Sequence, residues 1–202
     1  MTAPPDVIVF AGPTLWATEP AAVLDATYRP PVSQGDVYAA AEQGVRVIGI
    51  VDGYFERVPA VWHKEILWAL HRGVRVYGSA SMGALRSAEL APFGMRGVGA
   101  VYEDFVTGRL EDDDEVTIVH ASIDDGYRPL SDALVDIRAT VAAAVDAGVL
   151  DTGGGVAVCS AAKARFYPDR RIETAVDDAL SGGLDPAMAD AVREWLPTGR
   201  VH

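Results

Sequence analysis

A chain of 202 residues, half of them apolar, is long enough for a well-filled core and too apolar to be disordered or fibrous. Its 29 acidic residues against 17 basic ones give a formal charge of -12, which argues against nucleic acid and anionic membrane surfaces as partners. Apolar runs such as 47–51 are too short to span a bilayer, no basic segment precedes the run at 7–10, and lone Cys159 has no disulfide or CxxC partner. The chain therefore reads as cytosolic, with no cofactor and no metal expected.

In chain order, β-branched apolar runs at 7–10, 45–51, 74–77 and 116–119 have the length of strands buried on both faces. Helical patterns separate them at 35–43, 59–72 and 81–90, each bounded by glycine or proline where helices start and stop. This alternation predicts an α/β fold: a mainly parallel sheet of about four strands flanked by helices. Beyond residue 124 the pattern turns helical, at 131–147, 172–180 and 186–196, which predicts a helical C-terminal part. The expected division is an α/β core over 1–150 and a helical extension over 151–202, packed on or hinged to the core. The glycine triplet 153–155 reads as a hinge or boundary, and 197–202 as a frayed end.

In a parallel sheet the loops leaving the carboxyl ends of the strands gather at one edge, where ligands bind. Those loops are 11–15, 52–58 and 78–81. The segment 78–84, GSASMGA, follows an apolar run and opens a helix, so its small residues permit a tight corner that presents Ser81 as a nucleophile. Met82 and Gly83 would then supply N–H groups to an oxyanion at the positive end of the helix dipole. The structural alternative is a simple helix cap with close packing. Gly12 and Gly53 sit in the neighbouring loops as turn or oxyanion support, and Asp52 either orients a catalytic group or closes a turn.

A serine nucleophile needs a base. Of the 17 basic residues only Lys64 and Lys163 are lysine, and lysine, unlike arginine, can lose its proton when desolvated. Lys64 is thus one candidate, in competition with a surface ion pair. His63 adjoins it about 100° around the same helix, so the two cannot both face one atom. His120 is a further candidate base. The acidic run 111–115 lacks the alternating spacing of a calcium loop and reads as a solvated loop before a strand.

Taken together, Gly12-Pro13-Thr14-Leu15, Ile48-Gly49-Ile50-Val51-Asp52-Gly53, His63-Lys64-Glu65-Ile66-Leu67, the serine segment 78–86, Gly97-Val98-Gly99, Asp112-Asp113-Asp114-Glu115-Val116 and Ile137-Arg138-Ala139-Thr140 resemble the TfuA-like family. The likeness runs from about residue 7 to 140; Ser79 and Ser87 stand where alanine is expected. It implies participation in peptide backbone thioamidation beside a YcaO-type ATP-dependent enzyme, with sulfur from a ThiS-like carrier bearing a C-terminal thiocarboxylate. It also implies a hydrolase-type pair of Ser81 and Lys64; Asp52, His63 and Arg86 stand beside them as orienting or substrate-contact candidates. The target peptide is an indirect partner. Two other readings stand beside this one: an adaptor that raises the affinity of the YcaO enzyme for its peptide, using the surface around 94–99 and the C-terminal helices, and a general serine hydrolase.

Overall fold

The computed structural model of the chain describes residues 6–55 and 58–201. They fall into two compact units, Met1–Asp113 with Ala121–Arg128, and Asp114–His120 with Pro129–His202. Each has its own apolar core.

The first unit is built on β1 (Val7–Phe10), β2 (Thr27–Arg29), β3 (Val47–Ile50), β4 (Arg75–Ser79) and β5 (Arg96–Val98). All neighbours in the order β2-β1-β3-β4-β5 are parallel. Helices α1 (Asp36–Glu42), α2 (His63–His71), α3 (Ala80–Leu90) and α4 (Ala100–Val106) connect or follow the strands. Ile8, Phe10, Ile48, Ile50 and Val76 alternate onto one sheet face and pack with Val37, Ala40, Ile66, Ala69, Met82 and Leu90 from α1, α2 and α3. A β-branched strand interior and a helix stripe thus share one core.

The expected α/β fold with a mainly parallel sheet and a helical C-terminal part is the observed one. Its composition differs in detail. Two edge strands, β2 and β5, join the three central ones, and the run at 116–119 is no strand. That segment leaves a 3-10 turn at Asp113–Glu115 and bonds to its own chain: the Val119 N–H donates to Ser131 Oγ (2.8 Å) and the Leu130 N–H to the Val119 carbonyl (2.8 Å). Its β-branched composition suits a strand, but a ladder needs a neighbouring strand.

The second unit is an array of α5 (Leu134–Asp146), α6 (Thr152–Ala164), α7 (Ile172–Ser181) and α8 (Pro186–Gly199) around Leu134, Ile137, Val158, Val176 and Val192. The triplet 153–155 lies inside α6 and is no hinge. Asp151 caps that helix by accepting from the Gly154 N–H (2.6 Å), and a Cβ at Gly154 or Gly155 would crowd Leu150 and Leu184, or Val145 and Val141. The glycines serve close helix approach. Nor is the end frayed as expected: α8 runs through Pro197 to Gly199, and the Val201 N–H donates to Thr140 Oγ1 (3.0 Å). His202 lies outside the described residues. Among the described residues no helix is long and apolar enough to cross a membrane.

Candidate functional site

The chain leaves β1 toward β2 on one side, and β3 pairs on the other, so the carboxyl edge of β1 and β3 is a topological switch point. Asp52 sits there, 1% exposed. Its carboxylate accepts from the Gly12 N–H (2.8 Å), the Thr14 N–H (3.1 Å) and the Thr14 hydroxyl (2.6 Å). Three donors from a loop about forty positions away in sequence satisfy a buried charge that would otherwise be costly. Asp52 therefore pins the loop after β1 to the loop after β3. Gly12 allows the approach, since a Cβ there would lie 2.5 Å from Pro31 Cγ, and its N–H is committed to Asp52.

Next along the edge, β4 turns directly into α3. Ala80 takes φ +53°, a left-handed conformation that alanine rarely adopts, and Ser81 breaks the helical geometry with φ 0° and ψ -129°. Strain of this kind persists only where the surroundings over-determine it, and it marks the corner on which nucleophilic serines are presented. Here the surroundings are glycines. A Cβ at Gly83 would overlap the Ile50 carbonyl, and one at Gly78 would overlap the Gly83 carbonyl and Ser87 Oγ. The Gly83 N–H donates to the Val51 carbonyl (3.1 Å), which holds the start of α3 against the end of β3 and occupies that donor. A Cβ at Gly53 would lie 2.6 Å from Met82 Cγ. Ser81 is half-buried, and Met82, in the first turn of α3, is fully buried. First-turn N–H groups lack intrahelical acceptors, which leaves Met82 the nearer of the two expected oxyanion donors.

Lys64 lies on α2, whose Glu65, Ile66 and Ala69 face inward. Lys64 itself is exposed, as is His71 on the same side. No hydrogen bond or ion pair joins Lys64 to another described residue. Its neighbour His63 is turned toward α3, where Nε2 is 2.8 Å from Glu89 Oε2. Arg86 donates to the same oxygen from NH1 (2.7 Å) and from Nε to the Val61 carbonyl (3.3 Å). His63, Glu89 and Arg86 thus tie α2 to α3. A groove of about 480 Å³ is lined by Met82, Phe55, Leu85, Arg86, Glu89 and Glu111 among others. His120 pairs with Pro129 in an isolated bridge of the second unit.

Several contributors escape sequence reasoning. Glu65, part of the HKEIL segment, is a structural carboxylate: it accepts from the N–H groups of Gly35 (2.9 Å) and Val37 (3.1 Å) at the start of α1, and from the Trp62 N–H (2.8 Å). Tyr54 and Tyr127 also reach the switch-point edge. The Tyr127 ring lies 3.4 Å from where a Gly12 Cβ would stand, on a backbone at φ +61°. Burial raises both phenols above the ordinary tyrosine range, helped by Asp36 at Tyr54 and by Tyr54 at Tyr127, so both remain protonated donors. Only the left-handed Gly126 before Tyr127 hints at this in the sequence. Among the described residues no group of His, Cys, Asp and Glu is placed to hold a metal ion.

Comparison with curated proteins gives no match. The model of the TfuA-like protein family matches residues 52–171, from Asp52 through the HKEIL, serine-corner and acidic segments to the start of α7, while the loop at Gly12 falls outside the match. That range covers more than half of the chain, and the chain belongs to the TfuA-like protein family.

Proposed function

We propose that this chain releases sulfide from a thiocarboxylated ThiS-like carrier, for use by a YcaO-type enzyme in peptide backbone thioamidation, with Ser81 as nucleophile. Family membership supports the YcaO-associated thioamidation context. The observation that carries the finer reading is the strained corner at Ala80–Ser81 on the carboxyl edge of the sheet. In the reaction, Ser81 Oγ attacks the thiocarboxylate carbonyl as its proton passes to a base. The oxyanion is held by N–H groups of the corner, Met82 first. The C–S bond then breaks, hydrosulfide leaves, and water cleaves the resulting serine ester to give the carrier carboxylate.

Lys64 is the base in this proposal, on one condition. A lysine serves as base only when it is desolvated away from carboxylates, and Lys64 is exposed in the isolated chain. The docked carrier has to cover it and bring it to Ser81. Purified chain mixed with thiocarboxylated carrier is expected to release sulfide; Ser81→Ala is expected to abolish release, and Lys64→Ala to slow it at least about a hundredfold. Undiminished release from both variants overturns the hydrolytic reading.

The exposure of Lys64 favours a second reading, an adaptor that raises the affinity of the YcaO-type enzyme for its peptide. An adaptor keeps stimulating thioamidation with free sulfide when Ser81 is replaced. A sulfide-releasing enzyme becomes dispensable under that condition.

A further inference from the structure

Exposed arginines in this acidic chain commonly meet a carboxylate: Arg46 pairs with Asp6, Arg109 with Asp104 and Arg193 with Asp177. Arg75, Arg96 and Arg128 break that habit, and of these Arg75 and Arg96 stand on the sheet. Both are exposed, and neither has a carboxylate partner among the described residues. Arg96 instead donates to the Tyr77 hydroxyl (3.3 Å), with its guanidinium carbon 5.7 Å from the Tyr77 ring centre.

Strand register places these residues on one surface. Arg96 of β5 is opposite Tyr77 of β4, Arg75 is two positions before Tyr77, and Val98 is two positions beyond Arg96, so all four project from the same sheet face. On β3, Val47 and Gly49 lie opposite Arg75 and Tyr77 and extend that face. The alternate residues belong to the other side, where Val76 enters the core, Gly78 abuts Gly83, and a Cβ on Gly97 would strike the Tyr102 ring. Helical packing therefore occupies one face of β4 and β5. On the other, Val98 is 56% exposed and Val47, Gly49 and Tyr77 are only partly covered. Parallel sheets are ordinarily covered on both faces, so this one lacks part of its second layer.

We propose that this far face of β3, β4 and β5 is the docking surface for the amide-activating YcaO-type enzyme, which meets it with an apolar patch flanked by carboxylates. The assignment rests on the reading in which sulfide made at Ser81 passes to such an enzyme. The chemistry of the occupant follows from the face: two guanidinium groups without local carboxylates take carboxylates, and Tyr77, Gly49 and Val98 take apolar surface. A second copy of the chain fits poorly, because a two-fold contact through this face sets Arg75 and Arg96 against their own counterparts. Arg75 and Arg96 are the first residues of β4 and β5, at the strand ends away from the carboxyl edge where Ser81 stands.

The test is the affinity of the purified YcaO-type enzyme for the full chain, titrated at low and at high salt. An Arg75→Glu, Arg96→Glu double variant is expected to weaken binding at least roughly tenfold and flatten its salt dependence, while Arg75→Lys with Arg96→Lys keeps most of it. Sulfide release from the thiocarboxylated carrier is expected to be unchanged in both, so the two readings fail separately. Wild-type affinity in the charge-reversed variant overturns the proposal. So does loss of carrier affinity instead of enzyme affinity, and so does a concentration-dependent dimer of the wild-type chain that the charge-reversed variant dissolves.

Discussion

Asp52 holds the loop after β1 with one carboxylate and three donors, and removing it leaves the N–H groups of Gly12 and Thr14 without that acceptor inside a protein edge. A buried donor stripped of its partner costs about 1–3 kcal/mol. Asp52→Ala is therefore expected to lower the unfolding free energy by roughly 3 kcal/mol in urea titration, with Asp52→Asn milder because its amide oxygen still accepts. Sulfide release is expected to fall in Asp52→Asn as well, since that loop borders the edge where Ser81 stands. The glycines under the serine corner give a second test. In Gly83→Ala the added methyl meets the Ile50 carbonyl, a backbone atom that cannot swing aside, so α3 must shift. Overpacking of this kind costs typically about 1–3 kcal/mol. A parallel loss of sulfide release would show that the corner, and not only the serine, matters; wild-type stability in Gly83→Ala would contradict the packing described.

At the scale of elements, the second unit is tied by a charged cluster. Arg170, almost fully buried, donates to the Asp114 carboxylate (2.7 Å), the Asp114 carbonyl (2.8 Å) and the Ala162 carbonyl (3.1 Å), while Lys163 reaches Asp114 and Glu115, and Arg138 grips Glu115 (3.0 Å). Arg170→Ala takes a buried partner from Asp114 and is expected to cost roughly 3–5 kcal/mol, and Arg170→Met, which keeps much of the volume but not the charge, nearly as much; a small loss in Arg170→Met, measured by chemical denaturation, would rule out the charge argument. The acidic run reads in sequence as a solvated loop because nothing local reveals that its last two members meet Arg138, Lys163 and Arg170, which lie far along the chain. Legibility elsewhere follows the same physics. The central strands β1, β3 and β4 are visible as β-branched runs closed by turn residues, since pairing on both edges and one face packed on helices select such runs. Edge strands β2 and β5 are only three residues long and carry Arg29 and Arg96, so their pairing comes from a neighbour and not from composition. At the candidate site, the corner at Ser81 is legible from its cluster of small residues. The outward side chain of Lys64 is not, because it depends on which flank of α2 meets the sheet.

For the molecule as a whole, two carboxylates of the second unit set opposing responses to pH. Burial opposes ionisation of Asp114, but hydrogen bonds and charge from Lys163 and Arg170 outweigh it and hold the carboxyl below the usual 3.8. Its stabilising contribution is present above the unfolded value and is lost as pH falls through the folded one. Asp136 behaves in the opposite sense. Burial, with Asp132 nearby, pushes its carboxyl up to about 6. Between 3.8 and about 6 the folded chain holds a proton that the unfolded chain has released, so stability falls as pH rises through that window, and the penalty is complete above it. A displacement of this size corresponds to a penalty on the order of 3 kcal/mol at neutral pH. Asp136→Asn removes the titration while keeping the shape. It is expected to leave stability near pH 3 almost unchanged, raise it at pH 8, and flatten the decline between them. Unfolding free energies of the two proteins across that range decide the matter: a decline of equal slope in both would place its origin in another group, and a gain in Asp136→Asn confined to low pH would reverse the sign argued for the burial of this acid.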